Sequence, residues 1–404
     1  MALKRWIGAA AAVSQVTKVT FSAYSSAQTY SLTINGKVVS FLSVTGTNSE
    51  IWAGLVAAWE ASAEPEILEA LATVSTGVVL TSREGGNPFT VSAGATTGTP
   101  TVTLITAATG PNYFSNDDNW EGGAAPAAAD DLLFAESDVD LLHELTPGFA
   151  LGVITVEKSF TGRIGLGRVA SGGYQEYRPR YLTLGDAASI IIGAGTGNGS
   201  NRILIDAATE VVDVEIYGTG QGEGYDKAVR IVNADDASTF AAYAGSFELS
   251  GTGGAASIDV ISRQDTGSAP EVIVKGGAVA GVVRVSGANA RIILDGNATS
   301  IEAMQGGQVT VSSAGTCPTV SASGGGVVYW DSSGAISTQL FVYSGGSAMF
   351  GRRAVARTVA DCELHGGGTL DDPFGLVTWT AGVTLVGLLS EVELNLGRNV
   401  TLTI

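Results

Sequence analysis

Cysteine is nearly absent from this 404-residue chain, with two residues, Cys317 and Cys362. Two cysteines cannot form a disulfide framework, and their 45-residue separation makes a bridge between them geometrically unfavourable, so free buried thiols are expected. Only two histidines, His143 and His365, are present. With no Cys-x-x-Cys, they supply transition-metal chemistry poorly. Charged residues make up 15% and apolar ones 45%, which excludes a disordered chain. No apolar run approaches the ~18–20 residues of a membrane span. Proline is scarce (10) and glycine abundant (55), but the glycines do not fall every third residue, which excludes collagen.

Positive charge is also in short supply, and unevenly so. Residues 1–110 carry five Lys/Arg against six Asp/Glu, whereas residues 111–404 carry sixteen against thirty-three, summing to the net −18. The acidic larger part lacks the basic footprint that nucleic-acid binding requires. It suits solubility at high local concentration.

Glycine clusters recur about every 20 residues, at Gly287, Gly306-Gly307, Gly324-Gly325-Gly326, Gly345-Gly346 and Gly366-Gly367-Gly368. Short strand-like runs such as Gln308-Val309-Thr310-Val311 and Val327-Val328-Tyr329-Trp330 lie between them. Strands with glycine corners at this period predict a β-solenoid, in which each coil covers the apolar face of the one before. Strands continue from Leu151 to the C-terminus, where the last is expected over Val400 to Ile404. No helical periodicity interrupts them, so a doubly wound α/β fold is excluded. A β-sandwich is the alternative, but three short faces per 20-residue turn fit a right-handed parallel β-helix better. Its terminal coils need capping. The apolar ending Leu402-Thr403-Ile404 suggests packing against another chain, in a homotrimer about the rod axis.

Upstream, residues 16–110 read as a small α+β domain. Thr29 to Ile34 alternates, Asn35-Gly36 supplies a two-residue turn, and Lys37 to Phe41 returns. Ile51, Leu55, Ala58 and Trp59 share one face of a helix over Ile51–Trp59, and a second helix is expected over Pro65–Val74. Further strands are expected at Val78–Leu80, Phe89–Val91 and Thr101–Ile105. Residues 111–150 form an aspartate-dotted connector or cap before the β-helix of residues 151–404. At the start, Met1 to Gly8 followed by alanines has the look of a secretory leader. Its apolar run is short, however, and residues 1–15 are expected to be an arm on a non-secreted chain, docking on a neighbour.

Candidate chemical motifs reduce to structure. Gly218 to Gly224 superficially matches a nucleotide-binding loop, but that loop needs a helix after it. The next segment, Ala228 to Val232, reads as a strand, and Gly193 to Gly199 is likewise a long turn. The carboxylate pairs Asp117-Asp118, Asp130-Asp131, Asp235-Asp236 and Asp371-Asp372 are expected to be turn or surface residues, because neighbours in a strand point to opposite faces. Convergence of acids from neighbouring coils, as glycoside cleavage needs, is left open. Calcium at Asp117, Asp118, Asp130 and Asp131 is the lesser alternative. Neither histidine accompanies a Gly-x-Ser-x-Gly elbow. Tyr329, Trp330, Phe341 and Tyr343 are expected to pack in the core or between chains, with sugar stacking as the alternative. No catalytic, cofactor or metal residue is therefore assigned.

A resemblance adds to this reading. The opening Lys4-Arg5-Trp6-Ile7-Gly8, the segment Thr29 to Gly36, Gly86-Asn87-Pro88-Phe89-Thr90-Val91, and Asn119-Trp120-Glu121-Gly122-Gly123 through Pro126 to Asp130-Asp131 resemble segments of a group of phage and prophage virion structural proteins. Phe160 to Leu166 and Glu176 to Leu182 extend the likeness to about residue 205, roughly half the chain. Ala124 to Ala129 departs from the group's proline- and glycine-rich linker. The resemblance implies a non-enzymatic virion component, either a capsid decoration or head fibre or a tail-associated protein. Its N-terminal part would bind major capsid or tail proteins, and its rod would project outward. It would be located in the virion, and in the host cytoplasm during assembly. Partners would be further copies of itself and those particle proteins, with a host-surface glycan as an additional one, and neither nucleic acid nor membrane. The alternatives on the same rod are a tailspike-type glycan hydrolase or lyase, and a bacterial surface adhesin.

Overall fold

Alternation of buried and outward residues over four to eight positions, repeated down the chain, builds the molecule. The computed structural model describes residues 2–167, 170–171, 174–175, 180–185, 188–224, 226–263, 268–276 and 279–397. Segments 176–179 and 400–404, read above as part of a motif and as a last strand, lie outside them.

The first strand, β1 (Leu3–Arg5), belongs to the rod rather than to a free arm. The chain then leaves to make the α+β domain: β2 (Val16–Phe21), β3 (Thr29–Ile34), β4 (Lys37–Leu42), α1 (Asn48–Glu60), α2 (Pro65–Leu68), β5 (Ala70–Val74), β6 (Val78–Ser82), β7 (Val91–Ala95) and β8 (Pro100–Thr106). Two antiparallel sheets result, ordered β5-β6-β2-β8 and β4-β3-β7. The Asn35-Gly36 turn has positive φ at both residues, as its hairpin type demands. Ile51, Leu55 and Trp59 on α1 bury against Tyr30, Leu32, Ile34, Val78 and Leu80, a core separate from that of the rod. The second helix stops at Leu68, not Val74. Ala70 and Ala72 alternate inward and pair with β6, so sheet pairing overrides alanine's helix preference there.

On returning, the chain forms β9 (Asp131–Phe134) and β10 (Val153–Glu157), and the solenoid proper begins; later strands are named by their residues. Among the described residues it makes about 11 turns from two parallel sheets. The longer sheet starts β1-β9-β10 and continues through strands such as Val212–Ile216, Ala298–Met304 and Ile336–Val342. The shorter runs from Leu182–Thr183 to Glu393–Asn395. In the shorter sheet the rung repeats after 17 residues (Arg291 to Gln308), 19 (to Val327), 20 (to Ser347) and 22 (to Thr369).

Three separate faces per turn were expected, and most rungs show two strands. The third face is the bent front of the longer strands. In Ala298–Met304 the buried residues are Ala298, then Ile301 and Ala303, so the phase slips by one residue at the bend. In Ile336–Val342 the buried residues are Ile336, Leu340 and Val342, so the gap at the bend widens to four residues, and the register against the preceding strand shifts there. One rung later the bend becomes a break, and two strands, Arg357–Val359 and Cys362–His365, both pair with it.

The glycine pairs have two separate jobs. Gly325 sits at φ +87°, the left-handed corner conformation. Gly326 faces the preceding rung so closely that a Cβ would lie 2.1 Å from the Ala303 carbonyl oxygen. Only hydrogen fits there.

Candidate functional site

The base of the rod is the most heavily built part of the molecule. Parallel pairing of Leu3, Lys4 and Arg5 with Asp131, Leu132 and Leu133 adds a rung below β9. Trp6 follows it inward and is fully buried, its ring 5.1 Å from Trp120 and edge-on to it, and 6.3 Å from Phe134. Both indole N–H groups are satisfied, Trp6 by the Val139 carbonyl at 2.9 Å and Trp120 by that of Phe114 at 2.7 Å. Asn119 completes the plug by accepting from the Ala10 N–H and donating to the Gly110 and Tyr113 carbonyls. The connector is thus part of the rod's core, and the arm docks on its own chain. The motif Asn119-Trp120 holds the base together.

The Asp doublets stitch turns and rungs. Asp130 accepts from the Ala2 N–H at 2.8 Å and the Ala127 N–H at 3.1 Å, which hold its carboxyl below the ordinary range. Asp131 accepts from Val153 on the next rung, and Asp117 from Ala125. Asp235 accepts from Ala237 and Ser238. Asp371 accepts from Asn395, while the buried Asp372 caps Leu376 and Val377. Among the described residues no group of three or more His, Cys, Asp and Glu converges to hold a metal. Cys317 and Cys362 are free and buried, and burial pushes both thiols up to about 12. The Gly218 to Gly224 segment is followed by the strand Val229–Val232, with no helix to receive a phosphate.

Between domain and rod lies a cleft of about 530 Å³, lined in part by Leu104, Ala107, Leu142, His143 and Arg180. His143 lies against Tyr113 there, ring centroids 4.8 Å apart. Beside it runs β8, the edge of its sheet. Its residues Val102, Leu104 and Ile105 are 40–58% exposed, and it carries no charge. Among the described residues only β2 pairs with it. Natural edge strands are usually guarded by charge, proline or a cover; this one has no charge and a proline only at its first residue, Pro100.

The outer faces of the two sheets differ. On the shorter sheet Ile273, Ile293, Thr310, Tyr329 and Met349 stack in register as a half-buried, largely apolar row. Arg352 lies over the Tyr329 ring at 4.6 Å. On the longer sheet Glu215, Asp259, Glu302 and Glu363 fall in one row, with Arg284 between Asp259 and Glu302 at 3.5 Å from each. Alongside, Tyr243 stacks on Tyr217 of the rung before, 4.9 Å between centroids, and beneath the Arg263 guanidinium at 3.8 Å. Further up, Phe341, Tyr343 and His365 form a second aromatic group. Of the four aromatics singled out from the sequence, only Trp330 is core; its indole donates to Gly334.

Sequence reasoning missed the buried Arg357, which donates to the carbonyls of Trp330, Phe350, Val355 and Arg353. Burial lowers its pKa, with Asp372 and Asp331 opposing that. It ties the loop after Phe350 to the rod, and nothing in the local sequence signals an arginine turned inward.

The fold and these surfaces define a β-solenoid protein whose first rung is separated from the others by an inserted α+β domain. No protein-family model matches the chain, and no curated protein matches it significantly.

Proposed function

We propose that this chain is a non-enzymatic structural component of a phage or prophage particle, with the α+β domain attaching to a capsid or tail protein and the acidic rod projecting. The observation that carries the reading is an uncharged edge at β8, with Val102, Leu104 and Ile105 exposed beyond its leading proline, on a domain joined to the base of the rod. Strand addition to such an edge supplies main-chain hydrogen bonds to a partner. The outer carboxylates support a structural role, since Asp259 and Glu302 are engaged by Arg284. The apolar row from Ile273 to Met349 suits lateral packing of copies of the chain as a trimer, which light scattering on the purified protein would measure.

Imaging purified particles from producing cells with and without the gene tests the reading, and absence of the chain from the particle overturns it. Leu104→Lys charges the edge at an exposed position, so folding should survive. Incorporation into particles should fall about tenfold, consistent with one unfavourable charge in a contact.

A further inference from the structure

The second aromatic group on the longer sheet is used neither by the core nor by the proposed attachment. Phe341 lies in the strand Ile336–Val342 and Tyr343 directly follows it, its N–H still donating to the Ala322 carbonyl on the rung before at 2.8 Å, so the two face the same way. Their rings are parallel within 3° with centroids 5.7 Å apart. Parallel rings at that distance are slid past one another, so part of each π-face stays uncovered. Tyr343 keeps 37% of its surface exposed, and His365 on the next rung lies 4.8 Å from it. This differs from Tyr243, whose faces are taken by Tyr217 and Arg263. Polar groups border the shelf: the Gln339 amide donates to Glu363 at 2.9 Å, and Ser321 is paired with Phe341 on the rung before.

We propose that this shelf binds a neutral or amino-sugar polysaccharide. Pyranose C–H groups would lie against the open ring faces, where the quadrupole is negative. Sugar hydroxyls would exchange hydrogen bonds with Glu363, Gln339 and Ser321. A second copy of the chain would bring Glu302 and Glu363 against their own counterparts, in a region carrying sixteen cations to thirty-three acids. The same charge excludes polyanionic glycans.

Affinity electrophoresis of the full chain tests this, in gels holding galactomannan, starch glucan or chitosan, with hyaluronan as the anionic control. Retardation is expected in at least one of the first three and not in hyaluronan. Tyr343→Ala should weaken it about tenfold, Tyr343→Phe should retain it, and both should melt with the wild type by circular dichroism. Three results would overturn the proposal: no retardation in any of the three, equal retardation of Tyr343→Ala, or a self-association seen by light scattering that Tyr343→Ala abolishes. Binding by a chain absent from particles would overturn only the particle reading.

Discussion

The α+β domain and the solenoid solve the burial of apolar surface in opposite ways. The domain closes one core between two antiparallel sheets and a helix, so every part depends on the whole. In the solenoid each rung contacts only its neighbours, and stability is close to a sum over rungs and interfaces. Any end is then the weak point, and at the base this chain places two of its six tryptophans, Trp6 and Trp120. Trp6 and Trp120 fill a position that in mid-rod is filled by residues as small as Ala303 and Ala322.

The largest effect expected from breaking this contrast is at that plug. Trp6→Ala should cost about 3–5 kcal/mol and lower the rod's calorimetric transition while leaving the domain's in place. A single shared shift would show that the two units unfold as one. Glycine substitutions sharpen the contrast next. Gly326→Ala would press a methyl onto the Ala303 carbonyl and should cost about 3 kcal/mol or more. Gly36→Ala in the domain meets no atom within 4 Å and suffers only its φ of +87°, about 1–2 kcal/mol. Equal losses in denaturant titrations would refute the rung-contact explanation.

The smallest effect is one of pH. At the start of α1 Glu50 accepts from the Thr45 hydroxyl at 2.6 Å and from the Val44, Thr45 and Gly46 N–H groups, lowering its pKa from 4.5 to about 2. Because the folded value is the lower one, this stabilisation is present above pH 4.5 and is lost as pH falls towards 2. The domain should loosen in that window, and Glu50→Gln should flatten the dependence when thermal melts are followed against pH.

Much of the solenoid was legible because its code is local: period-2 alternation, and glycine where the chain turns. What escaped depended on distant partners. Leu3–Arg5 is too short to show any period, and its partner Asp131–Phe134 lies beyond an entire domain, so it read as a leader-like arm. Pro65–Val74 read as one helix because alanine suits both structures. The aromatic shelf was hidden by composition: in Gln339-Leu340-Phe341-Val342-Tyr343 four consecutive apolar residues serve two faces. Periodicity alone cannot say that Leu340 and Val342 go in while Phe341 and Tyr343 go out.

The departure and return of the chain at the base meet at one point, where the Val13 N–H donates to the Thr109 carbonyl at 2.7 Å. Everything between is an excursion from the rod with its ends already side by side. Such a module is portable. Residues 14–108 could be exchanged for another small domain, or for a short turn, without altering the register of any rung. A lineage carrying this rod could therefore exchange the inserted domain by recombination while keeping every rung.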